Sequence, residues 1–266
     1  MKKQIILLLF VTVNSVSTYA GGISVDAGIT PPQDRFILRY QYRYMSMENS
    51  MMTKRTQMTP IVLAYGVTSG ITILARGMYV HQSVSNNSEI KNGFNDLYLL
   101  SKFRLFRRNT ANYVFGIAPH IATNIPIGSK EISTRTWNTE LGLNISYRPR
   151  FLAFDISASY SIADITGKLD GEQGNTFNLN TAASGLIPLK TETSSVLSPV
   201  LEMTYTFKED SENSPDNELM FLSPGLSFIY SDLTLETLFQ FPVYQNKNMN
   251  VMDQNSRIII GLKYMF

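Results

Sequence analysis

The last ten residues alternate with a period of two, and that alternation constrains the chain more than any other feature. In the stretch from Arg257 to Phe266, Ile258, Ile260, Leu262, Tyr264 and Phe266 share one face, while Arg257, Gly261 and Lys263 share the other. Successive side chains of a strand point to opposite sides of the sheet, so this segment is a strand with one apolar and one polar face. It closes the chain on an aromatic residue, the pattern of the final strand of an outer-membrane barrel.

Segments of the same kind recur throughout. Twelve are legible, at roughly 35–46, 56–67, 71–83, 94–106, 112–125, 136–147, 151–162, 176–187, 195–207, 218–230, 232–241 and 256–266. Each can carry about ten residues across a bilayer when tilted. Their connections alternate in length. The short ones are Thr68-Ser69-Gly70, Arg107 to Ala111, Arg148-Pro149-Arg150, Pro188 to Ser194 and Ser231; the long ones lie around 47–55, 84–93, 126–135, 163–175, 208–217 and 242–255. Short periplasmic turns and longer extracellular loops are the habit of outer-membrane barrels. An even strand count with both termini in the periplasm puts every long loop outside. A soluble β-sandwich also has many short strands, but nothing in it demands that regular alternation.

The faces agree. Phe36, Leu38, Tyr40, Tyr42 and Tyr44 oppose Arg39, Gln41 and Arg43; Trp137, Leu141, Leu143, Ile145 and Tyr147 oppose Asn138, Glu140 and Asn144. In a barrel the apolar face meets lipid, the polar face lines the lumen, and closure satisfies every strand edge, as lipid requires. Tyr44, Tyr147, Tyr230, Phe241 and Phe266 fall at strand ends, where interfacial girdles form. The fold expected is therefore all-β: a transmembrane antiparallel β-barrel of about twelve strands, with Pro60, Pro188, Pro199 and Pro224 as the weakest points of the map, because proline removes a ladder donor.

The first twenty residues read as an export signal. Lys2 and Lys3 precede an apolar run from Ile5 to Val13, and Thr18 and Ala20 set a cut at Ala20–Gly21. Residues 21–34 form a leader that either lies in the lumen mouth or hangs in the periplasm, and 35–266 form the barrel. With no cysteine, the chain has no disulfide framework, thiolate metal site, catalytic thiol or acylated cysteine anchor. A net charge of +2 implies no nucleic-acid partner. The partners expected are outer-membrane lipids and lipopolysaccharide, the barrel assembly machinery, which would read Tyr264 and Phe266, and a small solute. No cofactor or metal is expected.

Three stretches carry a resemblance to a family. Gly93-Phe94-Asn95-Asp96-Leu97-Tyr98-Leu99, Asn124-Ile125-Pro126-Ile127-Gly128, and Leu222-Ser223-Pro224-Gly225-Leu226 followed by Gln240-Phe241-Pro242 are joined by a Tyr65-Gly66-Val67-Thr68 turn. They resemble the Gly-x-x-Asp-Leu strand start, the Leu-Pro-Thr-Gly strand end (here with Ile127 for threonine), the last hairpin and the Tyr-Gly-Leu-Thr turn of the transporter-like outer-membrane family named for a MetA pathway of phenol degradation. The resemblance implies an outer-membrane barrel with a transport role. It does not imply that phenols are the cargo.

Alternation also orders the lumen charges. Arg39 and Arg43 come from the first segment, Arg76 from the third, Lys102 and Arg104 from the fourth, Arg257 and Lys263 from the twelfth; Glu140 comes from the sixth, Asp155 from the seventh, Glu202 from the ninth and Glu236 from the eleventh. Closure makes the twelfth the neighbour of the first. Bases thus gather on one wall and acids on the other, with Asp96 the exception. Two readings follow. In a passive conduit the opposed walls set a transverse field that selects polar or zwitterionic solutes; in a plugged structural barrel the same charges pair across a filled lumen. A surface-binding barrel working through its acidic loops (208–217, and Asp164 to Asn175) is a third reading. An outer-membrane hydrolase would need a nucleophile beside His81 or His120, and no such arrangement is legible, so the chain is read as a non-enzyme.

Overall fold

In the computed structural model, residues 21–85, 90–133, 135–163, 174–189, 195–209, 216–247 and 252–266 are described, and residues 1–20 and the tips of several connections fall outside them. The alternating segments become the wall of a closed barrel: β1 (Phe36–Glu48), β2 (Thr53–Thr68), β3 (Ile71–Val84), β4 (in three pieces, Ile90–Phe94, Leu97–Phe103 and Phe106–Asn109), β5 (Tyr113–Ile125), β6 (Thr139–Pro149), β7 (Leu152–Ile162), β8 (Thr176–Gly185, continued by Ile187–Pro188), β9 (Ser195–Lys208), β10 (Asn217–Tyr230), β11 (Leu233–Lys247) and β12 (Asp253–Met265). Each strand pairs antiparallel with its sequence neighbours. The ladder from Ile37–Met265 to Glu48–Asp253 then joins β12 to β1 and closes the barrel.

The terminal aromatic lies on that seam. Phe266 and Phe36 exchange backbone hydrogen bonds at 2.8 and 3.0 Å. Outside the wall their rings stack at 5.5 Å, with Tyr65 and Tyr264 extending the row on either side. Ile260, Leu262, Tyr264 and Phe266 all face outward, as do Leu141, Leu143 and Tyr147 of β6. Asn144, Ser146, Asp155, Glu202 and Ser223 of the inner face are buried.

Several strands outrun the expected segments. β2 begins at Thr53 rather than 56, β11 continues to Lys247 rather than 241, and β12 begins at Asp253 rather than 256. A strand of 15 or 16 residues exceeds the roughly 9–11 needed to cross. The connection between β1 and β2 is therefore a paired hairpin that overhangs the bilayer and turns through 49–52, not an irregular loop. At the opposite end the turns are tight, and Ser231 takes a left-handed φ of 51° in the two-residue β10–β11 turn.

The prolines sit where one ladder opens. The β1–β2 ladder is interrupted between Tyr40–Ile61 and Arg43–Met58, around Pro60. The β10–β11 ladder is interrupted between Leu222–Phe241 and Gly225–Leu238, around Pro224. Pro199 packs 3.5 Å from where a Cβ on Gly185 would lie, at the break in β8. A missing donor is tolerated when only one neighbour loses its partner.

Candidate functional site: a lumen occupied by residues 21–34

The register builds a belt across the inner wall. Gly116 of β5 pairs with Ser146, Ser146 with Asp155, Asp155 with Ala182, Ala182 with Glu202, and Glu202 with Ser223. Four of these six residues are glycine, alanine or serine, so the belt is a shallow trough interrupted by two carboxylates. The leader lies in it.

From the rim inward, the Asp34 N–H donates to the Gly66 carbonyl at 2.8 Å, and the Thr30 hydroxyl donates to the Ser69 carbonyl at 2.9 Å. The Gly28 N–H donates to Ser146 Oγ at 2.8 Å. A Cβ on Gly28 would stand 2.7 Å from the Gly116 carbonyl, and one on Gly116 would stand 2.7 Å from that of Gly28. The two backbones touch only because neither residue has a side chain. Beyond this point the Ser24 N–H donates to both Glu202 carboxylate oxygens, at 3.1 and 3.2 Å, and Ile23 N–H and Ser24 Oγ donate to the same carboxylate. The Gly22 N–H reaches Asp155 Oδ2 at 3.2 Å.

Ile23 is fully buried in a cluster with Val200, Leu238 and Ile259, three apolar side chains on lumen-facing positions of β9, β11 and β12. Burying such a side chain contributes about 1.5–3 kcal/mol. A carboxylate flanked by an apolar pocket thus receives a segment whose N–H groups and one isoleucine match it.

The remaining lumen charges form local groups. Glu236 accepts from Arg39 at 2.8 Å and lies 3.6 Å from Lys263, joining β11, β12 and β1. Asp155 lies 3.2 Å from Arg148 and accepts from Ser146 Oγ. Glu140 lies 3.1 Å from His120 Nε2 and accepts from the Tyr98 hydroxyl at 3.0 Å. Among the described residues Arg43, Arg76 and Lys102 hold no carboxylate: Arg43 donates to Gln41, Arg76 lies 4.2 Å over the Tyr98 ring, and Lys102 donates to the Ala27 carbonyl at 2.9 Å. Arg104 sits at the second break in β4 and donates to Ser69 Oγ at the turn rim, outside the belt. The two-walled arrangement drawn from alternation is therefore modified. Glu236 lies within the basic wall, and Arg148, which alternation did not single out, supplies a base on the acidic side.

His120 is buried between Glu140 and the Asn144 amide, which lies 2.9 Å from Nδ1. No serine or threonine hydroxyl bonds its ring among the described residues, and none of these residues forms a cluster able to hold a metal ion. The acidic residues Asp164, Asp170 and Glu172 lie outside the described residues, as does most of 208–217.

Sequence reasoning missed the belt and the apolar pocket. The signal was present: Leu238 and Ile259 interrupt polar faces, and Val200 stands two residues before Glu202. All three are apolar residues in lumen register.

Comparison with known proteins agrees with this architecture. The profile of the family described as "Putative MetA-pathway of phenol degradation" matches residues 38–243. The chain belongs to this family. An outer membrane channel from Pseudomonas putida F1 is similar in fold, with a TM-score of 0.67 at 13% identity over 93% of this chain and 100% of that one. The β domain of the Bordetella autotransporter BrkA follows, with a TM-score of 0.53 at 10% identity over 88% and 100%. The NanC porin has a TM-score of 0.50 at 12% identity over 86% and 98%. No curated protein matches the chain in sequence. These structural neighbours are an outer membrane channel, an autotransporter β domain and a porin.

The family stretches meet in pairs on the wall. Gly128 N–H donates at 3.0 Å to Asp96, and the Ser133 hydroxyl donates to the same carboxylate, so the strand-end element folds onto the strand-start element at the first break in β4. Leu222 pairs with Phe241 in the last hairpin. Asp96, the exception in the charge order, thus caps a connection and stays out of the lumen's ion pairs.

Proposed function

We propose that the protein is a passive outer-membrane channel for a small solute, closed at rest by residues 21–34 and opened when they leave the belt. The observation that carries this reading is the way the leader is held: its grip is concentrated on Glu202, Asp155 and the Ile23 pocket, side-chain contacts that can be released without breaking a strand ladder. Similarity in fold to an outer membrane channel supports it. Export by residues 1–20, residence among outer-membrane lipids and lipopolysaccharide, and recognition of Tyr264 and Phe266 by the assembly machinery belong to the same proposal.

The filled lumen also favours a second reading, a plugged barrel that passes nothing. Planar-bilayer conductance and liposome swelling separate the two. The channel reading expects small, infrequent openings from the mature chain and a persistent open level after deletion of residues 21–30. Equal silence from both chains would defeat it in favour of the plug.

A further inference from the structure

Between the leader and the wall, at the turn end of the barrel, lies a cavity of about 220 Å³. Its lining is unbalanced in charge. Arg39, Lys102, Arg107, Arg148 and Lys263 all border it, and among the described residues Asp26 is the one acid that does. Two more carboxylates stand behind the lining, Glu236 against Arg39 and Lys263 and Asp155 against Arg148. Glu202, behind Gly22 of the lining, is a fourth, so five cations meet four carboxylates, and Lys102 pairs with none of them among the described residues. Desolvated charge is tolerated only when compensated, so this lining has room for one further negative charge beside Lys102.

Donor capacity points the same way. Lys102 spends one of its three N–H donors on the Ala27 carbonyl. The Thr72 hydroxyl lines the cavity, is 3% exposed and has no hydrogen-bond partner among the described residues. A buried polar group without a partner is rare enough in folded proteins to need a reason. Much of the rest of the surface is apolar, with Val62, Leu74 and Leu100 side by side on the adjacent strands β2, β3 and β4. A hydrated inorganic anion would leave that surface uncovered, and a neutral apolar molecule would leave the cations uncompensated.

We infer that this cavity is a binding site for a small amphipathic carboxylate, its head against Lys102, Arg39 and Thr72 and its aliphatic body against Val62, Leu74 and Leu100. The site rests on the channel reading for its meaning as a solute station, and it names the class of solute. Because the leader forms one side of it, an occupant would touch both the wall and the segment that closes the lumen.

Isothermal titration of the mature, detergent-solubilised barrel with hexanoate tests the inference, with hexanol, hexylammonium and inorganic phosphate as controls that each keep only part of the chemistry. Hexanoate should bind at least tenfold more tightly than any control. Lys102→Gln should weaken it about tenfold, the size of one charge-assisted hydrogen bond. Should that variant fail to fold, Thr72→Val carries the test, with a loss of about threefold. Hexanol binding as tightly as hexanoate, or a folded Lys102→Gln barrel with unchanged affinity, would overturn the site. Hexanoate binding by a protein that passes no current leaves the site standing and defeats the channel reading; current without hexanoate binding does the reverse.

Discussion

The wall and the leader are held by different kinds of contact, and the contrast explains how one chain can be both rigid and closable. The wall is made of ladders. β9 and β10 pair without a skipped position from Ser195–Tyr230 to Lys208–Asn217, and in lipid each broken backbone bond costs several kcal/mol. The leader makes no ladder. Apart from the Asp34–Gly66 bond at the rim, its backbone donors are held by side-chain oxygens of Ser146, Asp155 and Glu202, and Ile23 sits in an apolar cluster of the wall. Removing the leader would expose a polar trough to water, which can hydrate it. Removing a strand would expose a sheet edge to lipid, which cannot.

Substitutions should therefore divide by region. The largest effect is expected from Glu202→Ala. It leaves the Ile23 and Ser24 N–H groups without their acceptor, at about 1–3 kcal/mol for each unsatisfied buried group. Conductance should rise toward that of the leader-deleted chain, while heat-modifiable gel migration, a measure of the wall, stays unchanged. Ile23→Ala should cost the docked leader about 2–4 kcal/mol through the cavity left among Val200, Leu238 and Ile259. Its signature is faster proteolysis at residues 21–30 in the folded barrel.

On the wall side the loss falls on the fold rather than on the closure of the lumen. Arg39→Gln removes one partner of a buried Glu236 that keeps Lys263 at 3.6 Å, so the loss should be about 2 kcal/mol, below the 3–5 typical of a fully broken buried pair. It should appear as a lower urea midpoint. Tyr160→Phe, which deletes an exposed hydrogen bond to Glu209, should change stability by less than about 0.5 kcal/mol and leave conductance alone. A wall substitution that opened the lumen without loosening the fold would break the comparison.

How much of this was legible before the structure follows from what a period of two encodes. Alternation assigns a residue to a face, so the strands, the seam at Phe266 and the inward direction of Arg39, Glu202 and Glu236 could all be read from the chain. It does not give register between strands, and the belt from Gly116 to Ser223 exists only in register. It also hides in residues with little pattern of their own, since glycine, alanine and serine fit either face. The leader itself was legible, but where it docks was not, for the opposite reason. Gly21 to Asp34 has no period, and the partners that hold its inner part lie more than a hundred residues away, as in Ser24 with Glu202 and Gly28 with Ser146. The overhanging hairpins were missed because polar residues such as Thr53, Lys54 and Asp253 read as loop. Their strand character comes from pairing beyond the bilayer, where no apolar face is required.

One measurement tests the division between wall and leader most directly. Ideal Cβ positions on Gly22 and Ala182 lie 3.1 Å apart, close to the separation of about 3.5–4.5 Å that a disulfide spans, and the native chain has no cysteine to interfere. In a Gly22→Cys, Ala182→Cys barrel, planar-bilayer conductance should be absent under oxidising conditions and should return when dithiothreitol is added to the same membrane. Equal conductance in the oxidised and reduced states, with the crosslink verified by mass, would show that residues 21–34 do not close the lumen.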